Sequence, residues 1–541
     1  MITKVENMPD MPSPYLMRDW KQVSIRYDGL VFDERRQGDF FPLIWRDLTG
    51  HNGVPETFGL PSYLGMKRGG DRHEAVNTAA AVLGATLTGL DKRKGGADRV
   101  VMLEAYFNTD NGEHLFLNRT DLRSGRTFWY EIYPHILLYS LAYYYPGAGK
   151  LDAIMLETAD QWLSACRALK DESGLPDFNH LAFSFETMQS VDNGRWKEPE
   201  GAAGIAWLQL MAYIRWGGQE RLEAAEECLL SLEQRGENPF YEILLPYGAY
   251  AAARMNAQHG RSFDMKMLVN WCFDGDSACR PGWGIVAERW GDYDCHGLCG
   301  SLTDWGQRWD AVEENAGADY DPERSGYAFA ANTFSLAAAL VPLVRYDSRF
   351  AHDIGKWMLN AANAARLFYP TFLPGKQQSC SFYIPDEDDV IAYEGLRKWW
   401  DYQSPYATGD PIRYSWGGID LGLYGSSHVG LFGGIIEKTE VEGILQLDCL
   451  RTDYYREEAF PTYLYFNPFN VPVTVNVIQG AADLRVYDAA AHRLLPGDSR
   501  QLKLPPSSAV LAVIIPQDGT LTDEGSIRRC NGIVIDYQTG A

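Results

Sequence analysis

Carboxyl groups in pairs are the most chemically suggestive feature of this 541-residue chain. Two of them facing each other across an acetal bond can hydrolyse it, provided one stays protonated and the other ionised. The run Arg195-Trp196-Lys197-Glu198-Pro199-Glu200-Gly201 sets two carboxylates around a proline suited to a first helical turn. A helix N-terminus favours negative charge, which fits Glu200 as base or nucleophile with Glu198 beside it; an ordinary charge at a helix start would read the same. From Glu288 to Gly297 a glycine-bounded loop holds Trp290, Asp292, Tyr293, Asp294 and His296. Such a density of titratable and ring-bearing groups is unusual for a solvated turn, so Asp294 is the expected second carboxyl, with Asp292 as its substitute. Trp290, Tyr293 and His296 are expected to touch the ligand.

Two further clusters offer binding surfaces. Tyr406, Asp410, Arg413 and Trp416 lie within fifteen residues of Tyr402, although Gly409-Asp410-Pro411 is equally a plain turn. Phe128-Trp129-Tyr130-Glu131, with His135, opens an expected helix; Tyr130 either projects toward a ligand or packs as a buried aromatic. Cys272, Cys279, Cys295, His296 and Cys299 are close in sequence but lack the two-residue knuckles of structural zinc, so no metal is expected. Neither a glycine-rich phosphate loop nor a Gly-x-Ser-x-Gly elbow occurs, and cofactor-free chemistry is the expectation.

The elements that must carry these residues are mostly helices. Val76, Ala80, Leu83, Leu87 and Leu90 step by three and four along one helical face. Ala203, Ala206, Trp207, Leu210, Met211 and Ile214 form a stripe ending at Gly217-Gly218, and Leu222, Ala225, Leu229 and Leu232 repeat it to Gly236, so this pair is antiparallel. Similar stripes predict helices up to about 107, at 128–144, around 155–166, at 239–257 and 264–273, and a pair over 327–341 and 350–365. Less regular helices are expected at 388–400 and 419–435, for about twelve helices in six hairpins. The long stretches 179–198, 283–321, 370–387 and 401–416 are expected to be loops forming binding walls.

After about residue 439 the apolar period becomes two. Strands are expected at 444–447, 463–466, 473–478, 484–487, 502–504, 509–515 and 533–537, a β-sandwich's worth. The domains expected are therefore an N-terminal arm (1–66) with few helical stripes, a helical body (67–438) and a C-terminal sandwich (439–541).

Lys and Arg number 49 against 72 Asp and Glu, a net charge of −23 that repels nucleic acid. No run reaches the roughly 18–20 apolar residues of a membrane span. The start of the chain lacks the apolar core of an export signal, and nine cysteines in mostly apolar settings suit reduced thiols, so the cytoplasm is the expected location. Aromatic residues make up 13%, with 16 Trp and 31 Tyr, suiting apolar sugar faces as well as a large core.

Six helical hairpins followed by a β-sandwich resemble the (α/α)6-toroid carbohydrate-active enzymes, among them glycoside hydrolases and polysaccharide lyases. The fold class implied is mainly α, an (α/α)6 toroid followed by an all-β sandwich. The same ring hosts epimerases and terpenoid cyclases, so the resemblance alone leaves the reaction open. The expected activity is glycosidic hydrolysis by Glu200 and Asp294, with a carbohydrate as partner and a homo-oligomer allowed. Alternatives are a lyase, in which Tyr130 or Tyr293 and His296 abstract a proton while Arg413 neutralises a uronate, and a glycan-binding protein without turnover.

Overall fold

The computed structural model describes residues 1–66, 74–302, 323–383 and 389–537. Parts of the expected loops, at 303–321 and 384–387, lie outside the described residues. Helices fall into two kinds that the sequence distinguishes by charge. Gly201–Trp216 is buried on every side through its first three turns, whereas its partner Gln219–Arg235 buries only Leu222, Ala224, Ala225, Cys228, Leu229 and Leu232. All-round burial marks an inner helix and a single apolar stripe an outer one. Between them Gly217 and Gly218 take φ of 76° and 94°, a left-handed turn that side chains resist.

The inner helices contact one another in a closed cycle. Ala75–Leu87 meets Phe128–Tyr144, which meets Gly201–Trp216, then Leu245–His259, then Ala337–Leu343, then Val429–Ile435, which returns to Ala75–Leu87. Closure depends on glycine: a Cβ on Gly430 would lie 2.1 Å from the Gly84 Cα. Leu151–Ala168, Gln219–Arg235, Met265–Trp271 and Ala351–Ala364 pack outside this cycle.

The N-terminal region differs from its expectation as a stripe-poor arm. It contains the helix Trp20–Val31, whose buried Trp20, Val23, Tyr27 and Leu30 step by three and four, capped by the Asp19 carboxylate on the Gln22 N–H. This helix packs on Val429–Ile435 and Ala75–Leu87, and Trp20 meets Phe334 and Phe432 edge-on, each at 5.7 Å between ring centres. A helix from the N-terminal region thus covers the last member of the cycle.

The helix expected at 388–400 is replaced by the strand Gly395–Arg397. It belongs to a five-stranded antiparallel sheet in the order Tyr406–Thr408, Gly395–Arg397, Tyr327–Phe329, Cys299–Ser301, Trp283–Ile285. Segments read as binding loops are here three-residue strands, too short to show a period.

At the C-terminal end all seven expected strands are present, joined by Ile436–Lys438, Arg493–Leu494, Leu521–Glu524 and Ile527–Cys530. Six strands form one antiparallel sheet, with Thr462–Asn467 paired to Ser508–Pro516 at its centre. Alternation divides its faces: Leu464, Phe466, Leu511, Val513 and Ile515 join the core shared with the helices, while Tyr463, Tyr465, Val510, Ala512 and Ile514 pack with Val475, Leu502 and Leu504 of a separate hairpin. The sheet rests on Ala351–Ala364, where a Cβ on Gly355 would come within 2.8 Å of the Phe466 Cβ. The wholly buried Asp453 accepts hydrogen bonds from Tyr250, Arg345 and Tyr346, tying the strand connection to the inner helices. No helix among the described residues is long and apolar enough to cross a membrane.

Candidate functional site

Helices that alternate up and down leave every second one pointing the same way, so the inner helices present their N-termini at one mouth. A cavity of about 940 Å³ occupies that mouth. Its wall takes Glu74 from the start of Ala75–Leu87, Trp129 and Tyr130 from the first turn of Phe128–Tyr144, Glu242 from just before Leu245–His259, Asn332 from Ala330–Ser335 and Tyr424 from Leu423–Ser426. The five-stranded sheet contributes Ser301, Tyr327 and Phe329, and Glu394 precedes its strand Gly395–Arg397. Tyr63, Arg119, Arg280, Asp410, Tyr414 and Trp416 complete most of the remaining wall. Aromatic faces and convergent carboxyls dominate the surface.

The carboxyls are held differently. Glu394 accepts the Tyr63 hydroxyl at 2.8 Å, the Tyr327 hydroxyl at 3.3 Å and the Asp410 N–H at 2.6 Å. Burial, reinforced by the neighbouring Asp410 charge, pushes its pKa up to about 8, so it is protonated at neutral pH. Asp410 is itself raised by burial, while Arg397 and Arg413 draw it back. Asp420 fixes the start of Asp410–Arg413 by accepting the Ile412 N–H at 2.9 Å together with the Ser379 and Thr408 hydroxyls. Glu242 lies in a charged setting: Arg280 forms a close ion pair with one oxygen, and the Asn332 amide donates to the other at 3.1 Å. Arg280 is stacked 3.7 Å from the Trp283 ring centre, which fixes its direction. Glu74 is raised by burial and accepts from Ser62 and Asn118, each at 2.7 Å. Tyr130 is pushed well above its usual range by burial and by the charges of Glu74, Glu242 and Glu394.

Of the residues singled out by sequence, the cavity takes Tyr130, Asp410 and Trp416. The expected catalytic pair does not line it. Glu200 lies wholly buried below the mouth, where its carboxylate accepts the N–H groups of Glu242, Ile243, Leu244 and Leu245 at 2.7, 3.1, 3.2 and 3.1 Å. It thereby holds the turn that presents Glu242. Burial raises its pKa to about 7 against those four donors. Glu198 is also buried, with one oxygen on the Trp129 N–H at 2.9 Å. Asp294 accepts from the Ser13 N–H and pairs with the His296 ring at 2.5 Å; burial pushes it up, but these contacts hold it below its usual range.

The other candidates of that loop belong to a hairpin, Arg289–Trp290 with Tyr293–Asp294. Asp292 is exposed in its turn, Trp290 is wholly buried and donates to Glu288, and the Tyr293 hydroxyl donates to Gln377 at 3.3 Å. Tyr406 is buried in the five-stranded sheet, and Arg413 sits 5.3 Å from both the Trp400 and Tyr414 ring centres, off the cavity wall. Sequence reasoning missed Glu242, Glu394, Glu74, Tyr63 and Arg280. A legible signal did exist: Glu74 and Glu242 each stand within three residues of an inner helix start.

Among the described residues no three His, Cys, Asp or Glu side chains assemble into a metal-binding set. No protein-family model and no curated protein matches the chain. Among solved structures, a GH127 β-L-arabinofuranosidase from Geobacillus stearothermophilus T6 is similar over 96% of this chain and 85% of that chain, at 11% identity and a TM-score of 0.35. At that distance the likeness carries no argument about fold or activity.

Proposed function

We propose that the chain is a glycoside hydrolase in which Glu394 and Glu242, rather than Glu200 and Asp294, act on the glycosidic bond. Its closed cycle of inner helices is read as an (α/α)6 toroid, with Trp20–Val31 as an outer member and the C-terminal sheets as a β-sandwich. One observation carries the reading: Glu394, whose proton burial and the neighbouring Asp410 help to retain, and the ion-paired Glu242 wall the same aromatic cavity. Glu394 gives its proton to the departing oxygen, which Asp410 favours by opposing ionisation of its neighbour. Glu242, oriented by Arg280 and Asn332, attacks the anomeric carbon or activates a water. Tyr130, Trp129, Tyr424 and Trp416 offer ring faces to the sugar.

The lyase reading loses its bases, because Tyr293 and His296 are away from the cavity and burial disfavours the tyrosinate of Tyr130. A screen of neutral and acidic oligosaccharides read by mass tests the proposal. Products gaining one water, abolished by Glu394→Gln and by Glu242→Gln, support it; an eliminated product, or binding without turnover, overturns it.

A further inference from the structure

A second, smaller cavity of about 230 Å³ adjoins the large one. Tyr63, Met66 and Trp416 line both, so these side chains stand at the boundary the two share. Beyond it the walls are Leu64, Pro411 and Ile419, with two glycines, and no charged side chain among the described residues faces the space. That boundary is tied to the chemistry: the Tyr63 hydroxyl donates to Glu394 at 2.8 Å, and its ring meets Trp416 edge-on at 5.3 Å. An acid that protonates a departing oxygen stands on the leaving-group side of the bond, so a space sharing a wall with its hydrogen-bond donor is placed to receive what departs.

Building on the hydrolase reading, we infer that the small cavity is a leaving-group subsite for one uncharged ring with an apolar face, either a sugar unit or a cyclic alcohol. In the step it serves, the C–O bond to the leaving group breaks and the departing oxygen takes the Glu394 proton; one water supplies hydroxyl to the sugar carbon, and its other proton, taken up by Glu242 or by Glu394 according to whether Glu242 activates the water or attacks the carbon, restores the acid directly or through solvent. The ring docks against Trp416 through its C–H face and displaces water from apolar walls. Volume then limits it to a single ring.

Cyclohexylmethyl and methyl glycosides of the sugar identified by the oligosaccharide screen give the test, since their alcohols differ little in acidity. The intact chain should favour the cyclohexylmethyl glycoside in kcat/KM by about tenfold, the size of effect that extra apolar groups have in a pocket. Ile419→Phe adds bulk to a wall that belongs to the small cavity and not to the large one, and should bring that ratio near one while methyl glycoside turnover persists. Should that variant not fold, Ile419→Ala must move the preference toward bulkier rings. Hydrolysis with a ratio near one in the intact chain, or a ratio indifferent to residue 419, overturns the subsite and leaves the hydrolase reading standing. Absence of any hydrolysis overturns both.

Discussion

Two sets of carboxyl groups lie near the mouth of the helix cycle, one buried and one half-buried, and they differ in what satisfies them. Glu131, Glu198 and Glu200 are walled off from the cavity and bonded chiefly to backbone N–H groups. Glu394, Asp410 and Glu242 face the cavity and are met largely by side chains: hydroxyls, guanidiniums and an amide. Burial raises the pKa of Glu200 and of Glu394 alike, to about 7 and about 8. A raised pKa therefore does not by itself single out the carboxyl group proposed as the acid; its place on the cavity wall does.

The largest effect expected sharpens that difference. Glu394→Gln should lower kcat by about a hundredfold to ten-thousandfold with little change in Tm, measured by steady-state kinetics and calorimetry. Activity of the unaltered chain should also fall as pH rises through about 8, where Glu394 gives up the proton it must donate. Retention of activity at pH 10 would break the assignment.

Glu200→Gln should behave differently. The amide cannot accept four N–H bonds, so stability drops by about 1–3 kcal/mol, and kcat falls because the turn carrying Glu242 loosens. A loss of kcat through Glu242 must shrink when Glu242→Gln is already present, which a double-mutant cycle reads directly.

The walled-off set also predicts a pH-dependent stability. Glu131 and Glu200 have folded values of about 8 and about 7, against an ordinary value of 4.5. Both remain protonated in the folded chain while the unfolded chain ionises, so their stabilisation is complete below 4.5 and lost as pH rises through 7 to 8. Tm should decline from pH 5 to pH 8, and Glu131→Gln should flatten the decline.

Smallest of all is Asp294→Asn. Losing the charged bond to His296 should cost about 1 kcal/mol, with activity unchanged within about twofold. A large loss of kcat at constant Tm would return Asp294 to the active site.

How far the chain could be read before folding follows from these residues. The C-terminal strands were legible because two-residue alternation persists for four to nine residues, as in Ser508–Pro516. The long helices were legible from apolar residues three and four apart, whereas which of them are inner and which outer emerged only from their burial. Glu394 was not, because Tyr393-Glu394-Gly395 fell within a weak helical pattern, whereas Gly395 is required where a Cβ would meet the Ala328 carbonyl at 2.6 Å. Glu242 was hidden just ahead of a helix whose start was placed a few residues early. Glu200 was singled out for the right local feature, a carboxylate at a helix start, but no local pattern reveals that the turn at 242–245 covers it.

Because Trp20–Val31 rests chiefly against Val429–Ile435, some four hundred residues later in the chain, it finds its full seat only after residue 435 has emerged from the ribosome. Until then the side of that helix where Trp20 meets Phe432 and Tyr27 meets Ser427 stays uncovered on a growing chain, a surface suited to chaperone capture. Synthesis and closure of the cavity are thus ordered in time, and translation halted before that point yields a chain with no finished pocket.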